Sequence, residues 1–121
     1  MTYDVVVIGS GIAGLMAAIE AKNETNRVAI ITKSNIIKSN SAVASGGINA
    51  VLDEKNEVEI QKHCDDTMQS SKNLGDKKAI SYLCHQAPLI IKKLEAYGVA
   101  FDRGVDGTIL QRSFGGGSSK R

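Results

Sequence analysis

The sequence predicts an α/β protein, a Rossmann-like βαβ unit with a parallel sheet followed by helices, on three observations. An apolar, β-branched run from Tyr3 to Ile8 ends at Gly9. Ile12, Leu15, Met16 and Ile19 then recur at helical spacing, and "RVAIIT", Arg27 to Thr32, supplies a second short apolar run. Short apolar runs bounded by turn residues read as buried parallel strands. A strand, helix, strand order within about thirty residues is a βαβ unit, expected to be right-handed.

The elements follow in chain order. The first helix should dissolve near Asn23 to Asn26 in polar turn residues. Lys33 to Ser45 has no clear period and reads as a long functional loop. Val58 to Ser71 carries Ile60, Cys64 and Met68 on one side of a helix. A further helix opens near Asp76, a good N-cap, and is marked by Ile80, Leu83, Cys84 and Ala87. Pro88 lacks an amide hydrogen and is expected to start a new helix, with Ile90, Leu94 and Tyr97 inward and Gly98 as the stop. "GVDGT", Gly104 to Thr108, reads as a hairpin turn between "VAFDR" and "ILQRSF". The closing "FGGGSSKR" fits either a flexible tail or a loop in mid-course.

Composition narrows the class. The 121 residues are 42% hydrophobic and 23% charged with a net charge of +2, the profile of one small globular domain. The lysines are dispersed, so charge makes no case for nucleic acid or a membrane surface. No apolar run approaches the roughly 18 residues of a membrane helix, and a strand beginning at Tyr3 leaves no room for a signal peptide; the expected location is the cytoplasm. Cys64 and Cys84 are far apart with no Cys-x-x-Cys pattern, which suits reduced, buried thiols. Their neighbours His63 and His85 lie on separate helices, and no metal site is expected.

The chemistry begins at "VVVIGSGIAG". Gly9, Gly11 and Gly14 hold the Gly-x-Gly-x-x-Gly spacing between a strand and a helix. Gly9 permits the tight turn, Gly11 lets a pyrophosphate approach the backbone, and Gly14 lets helix and strand pack closely. With Ser10, Ile12 and Ala13 among the cofactor-binding residues, the helix N-terminus offers free N–H groups and positive potential to the phosphates. The next mark of a dinucleotide site, an acidic residue ending the second strand, is missing: Thr32-Lys33 stands there. Lys33 could meet the extra phosphate of NADP; the other reading is a flavin dinucleotide site of unusual type.

Taken together, "VIGSGIAG", "TKSNIIKSNSAVASGGINA", "HCDDT", "LGDKKAISYLCHQAP", "LEAYGVAFDR" and "DGTILQRSFGG" resemble the flavoprotein subunits of succinate dehydrogenase and fumarate reductase, with L-aspartate oxidase as the nearest cousin. The resemblance runs essentially the whole length. It implies FAD as cofactor and explains Thr32-Lys33, since a Ser/Thr-Lys pair follows the second strand in that superfamily. It also implies that the segment from Thr32 to Gly47, including Ser39, Asn40, Ser41, Ala44 and Ser45, wraps the FAD, with Gly46-Gly47 close to the isoalloxazine ring. Side-chain-free backbone suits that place, because it can lie on a flat ring and offer N–H groups to the charge of a reduced flavin.

Two departures shape the expected function. Many family members attach FAD through a histidine in a Ser-His-Thr or Ser-His-Ser context, where this chain has Ser39-Asn40-Ser41. An amide lacks the nucleophilic ring nitrogen, so the FAD should be non-covalent, which favours fumarate reduction. The family's catalytic arginine, substrate histidines and capping domain lie beyond the matched region. The resemblance therefore makes residues 1–121 the N-terminal part of an incomplete FAD-binding domain, with no catalytic residue in this chain and no activity expected from it alone.

The implied parent transfers hydride between FAD and a C4 dicarboxylate, fumarate or succinate, and passes electrons to a redox partner such as an iron-sulfur subunit. Such subunits would place a cytoplasmic protein at the periphery of the cytoplasmic membrane. Phe114, in "QRSFGG", matches the phenylalanine that touches the dicarboxylate in fumarate reductases, whereas aspartate oxidases carry glutamate there. A phenyl ring presses on the carbon skeleton and leaves an ammonium group without a partner. The alternatives are an L-aspartate oxidase segment and a non-catalytic dinucleotide-binding module.

Overall fold

The structure, a computed structural model, describes residues 1–44 and 46–121. It forms two compact units, Met1–Gly46 and Gly47–Arg121.

In the first unit, strand β1 (Val5–Ile8), helix α1 (Ile12–Glu24) and strand β2 (Val28–Ile31) make the expected βαβ unit. The strands pair in parallel, from Val5 opposite Val28 to Ile8 opposite Ile31. Both are shorter than their apolar runs, because polar groups take over at the edge. The Asp4 carboxylate accepts from the Thr25 hydroxyl and the Arg27 guanidinium, and the Asp4 N–H donates to the Arg27 carbonyl at 2.9 Å.

The strands are not buried on both faces as their composition predicts. Val5 and Val7 are half-buried while Val6 and Ile8 are exposed. A two-stranded sheet with helix packing on Val7 and its neighbours leaves the alternate residues uncovered. In α1 the helical spacing holds, but not every large apolar residue is buried. Ala18 is its buried residue and Ile12 and Ile19 are exposed. Small residues at Gly14 and Ala18, one turn apart, let the helix settle closely where larger side chains would hold it off.

The loop from Lys33 is not structureless. A 3-10 turn spans Ile36–Lys38, and helix α2 spans Asn40–Val43. Asn35 Oδ1 accepts from the Ile37 N–H, and Ser39 Oγ accepts from the Ala42 N–H. Each element is a single capped turn, too short to show a hydrophobic period.

In the second unit, helix α3 (Glu57–Ser70) packs on helix α4 (Lys77–Ala96). Their N-caps are Asn56, which accepts from the Glu59 N–H, and Asp76, which accepts from the Ala79 N–H at 2.8 Å. Val51, Ile60, Cys64 and Cys84 form the core, with Ile80 packed against it. Both cysteines are free and buried. Burial, together with the neighbouring Cys64 thiol, pushes the Cys84 thiol up to about 11, so it stays protonated and unreactive.

Pro88 does not start a new helix; it lies inside α4, which runs on to Ala96. Cys84, Pro88 and Ile91 are the buried residues of α4, at positions i, i+4 and i+7. One buried stripe thus continues through the proline, and its packing outweighs the missing hydrogen bond. Consequently Ile91 faces inward, while Ile90 and Tyr97 are exposed. Gly98 does end the helix, at φ +92°, with its N–H on the Glu95 carbonyl and the Val99 N–H on the Leu94 carbonyl, the paired bonds of a left-handed helix stop.

The turn at Gly104 to Thr108 is closed by the Gly104 N–H on the Thr108 carbonyl at 2.9 Å. Its flanks make only a single antiparallel bridge, Arg103 with Ile109, rather than two strands. The closing segment folds back, since Arg112 and Arg121 exchange backbone hydrogen bonds at 3.2 and 3.1 Å. In "FGGGSSKR" the Gly117 N–H also turns back to the Phe114 carbonyl, at 3.1 Å.

Candidate functional site

The first unit brings Gly9 to Gly14, Thr32 and Ser41 together at the turn between β1 and α1. Gly9 has φ +112°, a conformation that L side chains rarely adopt, and its N–H reaches the Ile31 carbonyl at 2.8 Å. A Cβ on Gly14 would overlap the Gly9 carbonyl oxygen and stand 3.5 Å from Val7 Cγ1. The third glycine of the motif is therefore enforced by backbone contact, as the spacing implied.

Gly11 is the N-cap of α1 and has no side chain to occupy the free amides of the first turn. The Ile12 N–H is taken by Ser41 Oγ at 3.0 Å. Ala13 and Gly14 follow in that turn. Backbone donors at the start of a 13-residue helix, over bare glycine backbone, suit the oxygens of a pyrophosphate. The residues present fit a dinucleotide.

Two parts of the following segment are tied to this turn. Ser10 Oγ and Thr32 Oγ1 share a hydrogen bond at 2.7 Å, and Ser10 is buried. Thr32 also donates to the Ser34 carbonyl at 3.1 Å. Ser41 reaches Ile12 from α2, and its Oγ would lie 3.4 Å from a Cβ on Gly11. The Ser/Thr at the end of β2 thus braces the turn, which neither charge nor periodicity indicated.

The remaining predicted residues divide. Ser39 caps α2 and Asn40 is its first residue, while Lys33 and Ala44 are exposed. Ser45 lies outside the described residues. Gly46 takes φ +128°.

The second unit contains the other predicted pair. A Cβ on Gly47 would stand 2.7 Å from Cζ of the Phe114 ring, so only glycine allows the ring to lie where it does. The Arg112 guanidinium sits over the same ring, 5.1 Å from its centre. Gln111 Nε2 reaches the Ala50 carbonyl at 3.5 Å.

Sequence reasoning missed the polar cluster behind this loop. Asp66 Oδ2 accepts from the Ser118 N–H at 2.8 Å, from Ser118 Oγ at 2.9 Å and from Arg121 Nη1 at 2.7 Å. Burial pushes the Asp66 carboxyl up, and the Ser118 and Arg121 donors outweigh it, leaving it below the usual carboxylate range. His63 is buried nearby with Nδ1 unpaired, and burial, with the Arg121 charge, lowers its pKa. No local signal in "HCDDT" announces partners more than fifty residues further along the chain. Among the described residues no three His, Cys, Asp or Glu side chains converge as a metal site, and no helix is long and apolar enough to cross a membrane.

Comparison with known proteins gives a consistent result. Residues 4–121 match the family described as "FAD binding domain". The chain is 44% identical over 117 residues to the mitochondrial succinate dehydrogenase [ubiquinone] flavoprotein subunit of Oryza sativa subsp. japonica, covering 97% of this chain and 19% of that protein. It is 40% identical over 119 residues to the chloroplastic L-aspartate oxidase of the same plant, covering 98% and 18%. A solved structure of Mycobacterium smegmatis Sdh1 superposes with a TM-score of 0.90 at 43% identity, over 100% of this chain and 20% of that one. The chain spans about one fifth of the length of the relatives it matches.

Proposed function

The chain belongs to the FAD binding domain family, its cofactor is FAD, and from that premise we propose that it forms the N-terminal FAD-binding segment of a flavoprotein of the succinate dehydrogenase and fumarate reductase type. The observation that carries this reading is the Gly9 to Gly14 turn, a bare backbone cradle fixed by the overlap that any side chain at Gly14 would make with Gly9. Bound FAD supplies hydride acceptance and donation; the chain supplies binding and orientation.

In this reading the N–H groups of Gly11, Ala13 and Gly14 take the pyrophosphate, while Ser10, Thr32 and Ser41 hold the turn in shape. Asn40 stands where a covalently attaching histidine would be, so the cofactor is dissociable. Gly46 and Gly47 keep side chains away from the flavin ring. Phe114 faces the substrate, a C4 dicarboxylate, and the reaction is hydride exchange with fumarate or succinate. Proton transfer falls to residues outside this chain, and 121 residues alone are inactive. An iron-sulfur subunit is the natural electron partner, and it would hold a cytoplasmic flavoprotein at the membrane surface.

Aspartate oxidation is the second reading, favoured by the 40% identity to the rice enzyme. Phe114 weighs against it, because a phenyl ring offers an ammonium group no carboxylate to pair with. The test uses the protein produced from its native gene, reduced anaerobically and mixed with fumarate or with its oxidised form and L-aspartate. Reoxidation by fumarate with no response to L-aspartate is expected, and Phe114→Glu should weaken the fumarate response. Efficient aspartate oxidation with no fumarate response would replace this reading by the second.

A further inference from the structure

The loop that presents Phe114 is closed at its base and held by carboxylates of α3, Asp66 through Ser118 and Arg121 and Glu59 through Ser119. Arg112 and Arg121 exchange two backbone hydrogen bonds, so the residues between them form one closed loop. Within it the Gly117 N–H turns back to the Phe114 carbonyl at 3.1 Å. In chain order Phe114 lies on the outgoing side of this turn, and Ser118 and Arg121 on the returning side.

That other side is held from α3. Three donors converge on Asp66 Oδ2, two from Ser118 and one from Arg121, all at 2.7 to 2.9 Å. The Arg121 side chain is 1% exposed and that of Asp66 13%. Charge-assisted bonds of this kind are short and directional, and removing one partner leaves a buried cation uncompensated. The neighbouring Asp65 has no such role; it is exposed and bonded to Gln61 on its own helix. At the mouth of the loop, Arg112 covers the Phe114 ring whose edge meets Gly47.

We propose that Asp66 is a positioning residue for Phe114: by gathering Ser118 and Arg121 it fixes the loop that holds the ring against Gly47. The proposal deepens the reading of Phe114 as the substrate-facing side chain and rests on it for the effect on substrate binding. It does not rest on it for the placement of the ring. Asp66 touches neither cofactor nor substrate in this account; it acts through the loop.

The first test reads the ring directly, without turnover. 4-Fluorophenylalanine is placed at position 114 of the protein produced from its native gene, and its fluorine resonance is recorded for the wild type, Asp66→Asn and Asp65→Asn. Asp66→Asn should shift and narrow the line toward its position in the urea-unfolded protein, while Asp65→Asn leaves it in place. A line unmoved by Asp66→Asn overturns the proposal. If Asp66→Asn fails to fold, Ser118→Ala, which keeps the Asp66 to Arg121 pair, should give a smaller shift of the same sign. No shift there overturns it equally.

The second test is a double-mutant cycle on KM for the dicarboxylate. Asp66→Asn alone should raise KM about tenfold with kcat within about twofold, and should add nothing in a Phe114→Ala background. Additive losses overturn action through Phe114. If Phe114→Ala leaves KM unchanged while the fluorine line still follows Asp66, the placement of the ring by Asp66 is supported and the substrate assignment of Phe114 is the part that fails.

Discussion

The Phe114 ring lies against the bare backbone of Gly47, where a Cβ would come within 2.7 Å of ring Cζ. The Arg112 guanidinium lies over the same ring. Gly47→Ala should therefore destabilise the protein by about 1–3 kcal/mol through overpacking, and Phe114→Leu should recover part of that loss. Urea unfolding of the two single variants and the double variant measures both. An unchanged unfolding midpoint for Gly47→Ala would refute the contact.

The glycines of the first turn should fail in different ways. At Gly14 the obstacle is space, since the new methyl meets the Gly9 carbonyl, and a backbone group has no rotamer to escape into. Gly14→Ala is expected to lose FAD almost completely. At Gly9 nothing lies within 4 Å, and the obstacle is φ +112° alone. Gly9→Ala should cost about 1–3 kcal/mol of strain and weaken FAD binding without abolishing it. Flavin content per protein by absorbance ranks the two, and the reverse order would contradict this geometry.

Ser41 supplies a side-chain oxygen to the first turn of α1, taking the Ile12 N–H at 3.0 Å. Ser41→Ala should lower stability by about 1 kcal/mol, as for a lost helix cap. Ser41→Thr, which keeps the hydroxyl, should recover much of the loss. Thermal melts of both variants with FAD bound decide the point; equal melting temperatures for the wild type and Ser41→Ala would remove Ser41 from the turn.

His63 gives stability a pH dependence. Burial, first, and the Arg121 charge, second, lower its pKa from the usual 6.5, against the opposing pull of Asp66. The unfolded chain therefore binds a proton that the folded chain refuses. This contribution is fully present above pH 6.5 and is lost as pH falls from there toward the folded value. His63→Gln should flatten the melting temperature in that window. A slope that persists unchanged in His63→Gln would assign it to other groups.

The βαβ unit and its glycine turn were legible because their signals are local. An apolar run, three glycines at fixed spacing and a 3.6-residue period each describe neighbours in the chain. The spacing of Ile12 and Ile19 marked a helix but not its buried residue, because hydrophobicity alone ignores how closely Gly14 and Ala18 let the helix approach. Pro88 was misread because its local rule was outweighed by a buried stripe shared by Cys84 and Ile91. Asn35 and Ser39 cap turns too short for any periodicity to reveal. The Asp66 cluster was invisible for another reason: a carboxylate on a helix looks solvated until the loop more than fifty residues later folds onto it.

Acid precipitation of the protein produced from its native gene tests the central claim most directly, that this family member binds FAD in a turn of bare backbone with Asn40 where covalent attachment would need a histidine. After precipitation the supernatant should contain all of the flavin, identified chromatographically as intact FAD, over a colourless pellet, and Asn40→His should not be needed for binding. Flavin that stays with the denatured pellet, or a purified protein that carries no flavin and takes up none when FAD is added, would contradict it.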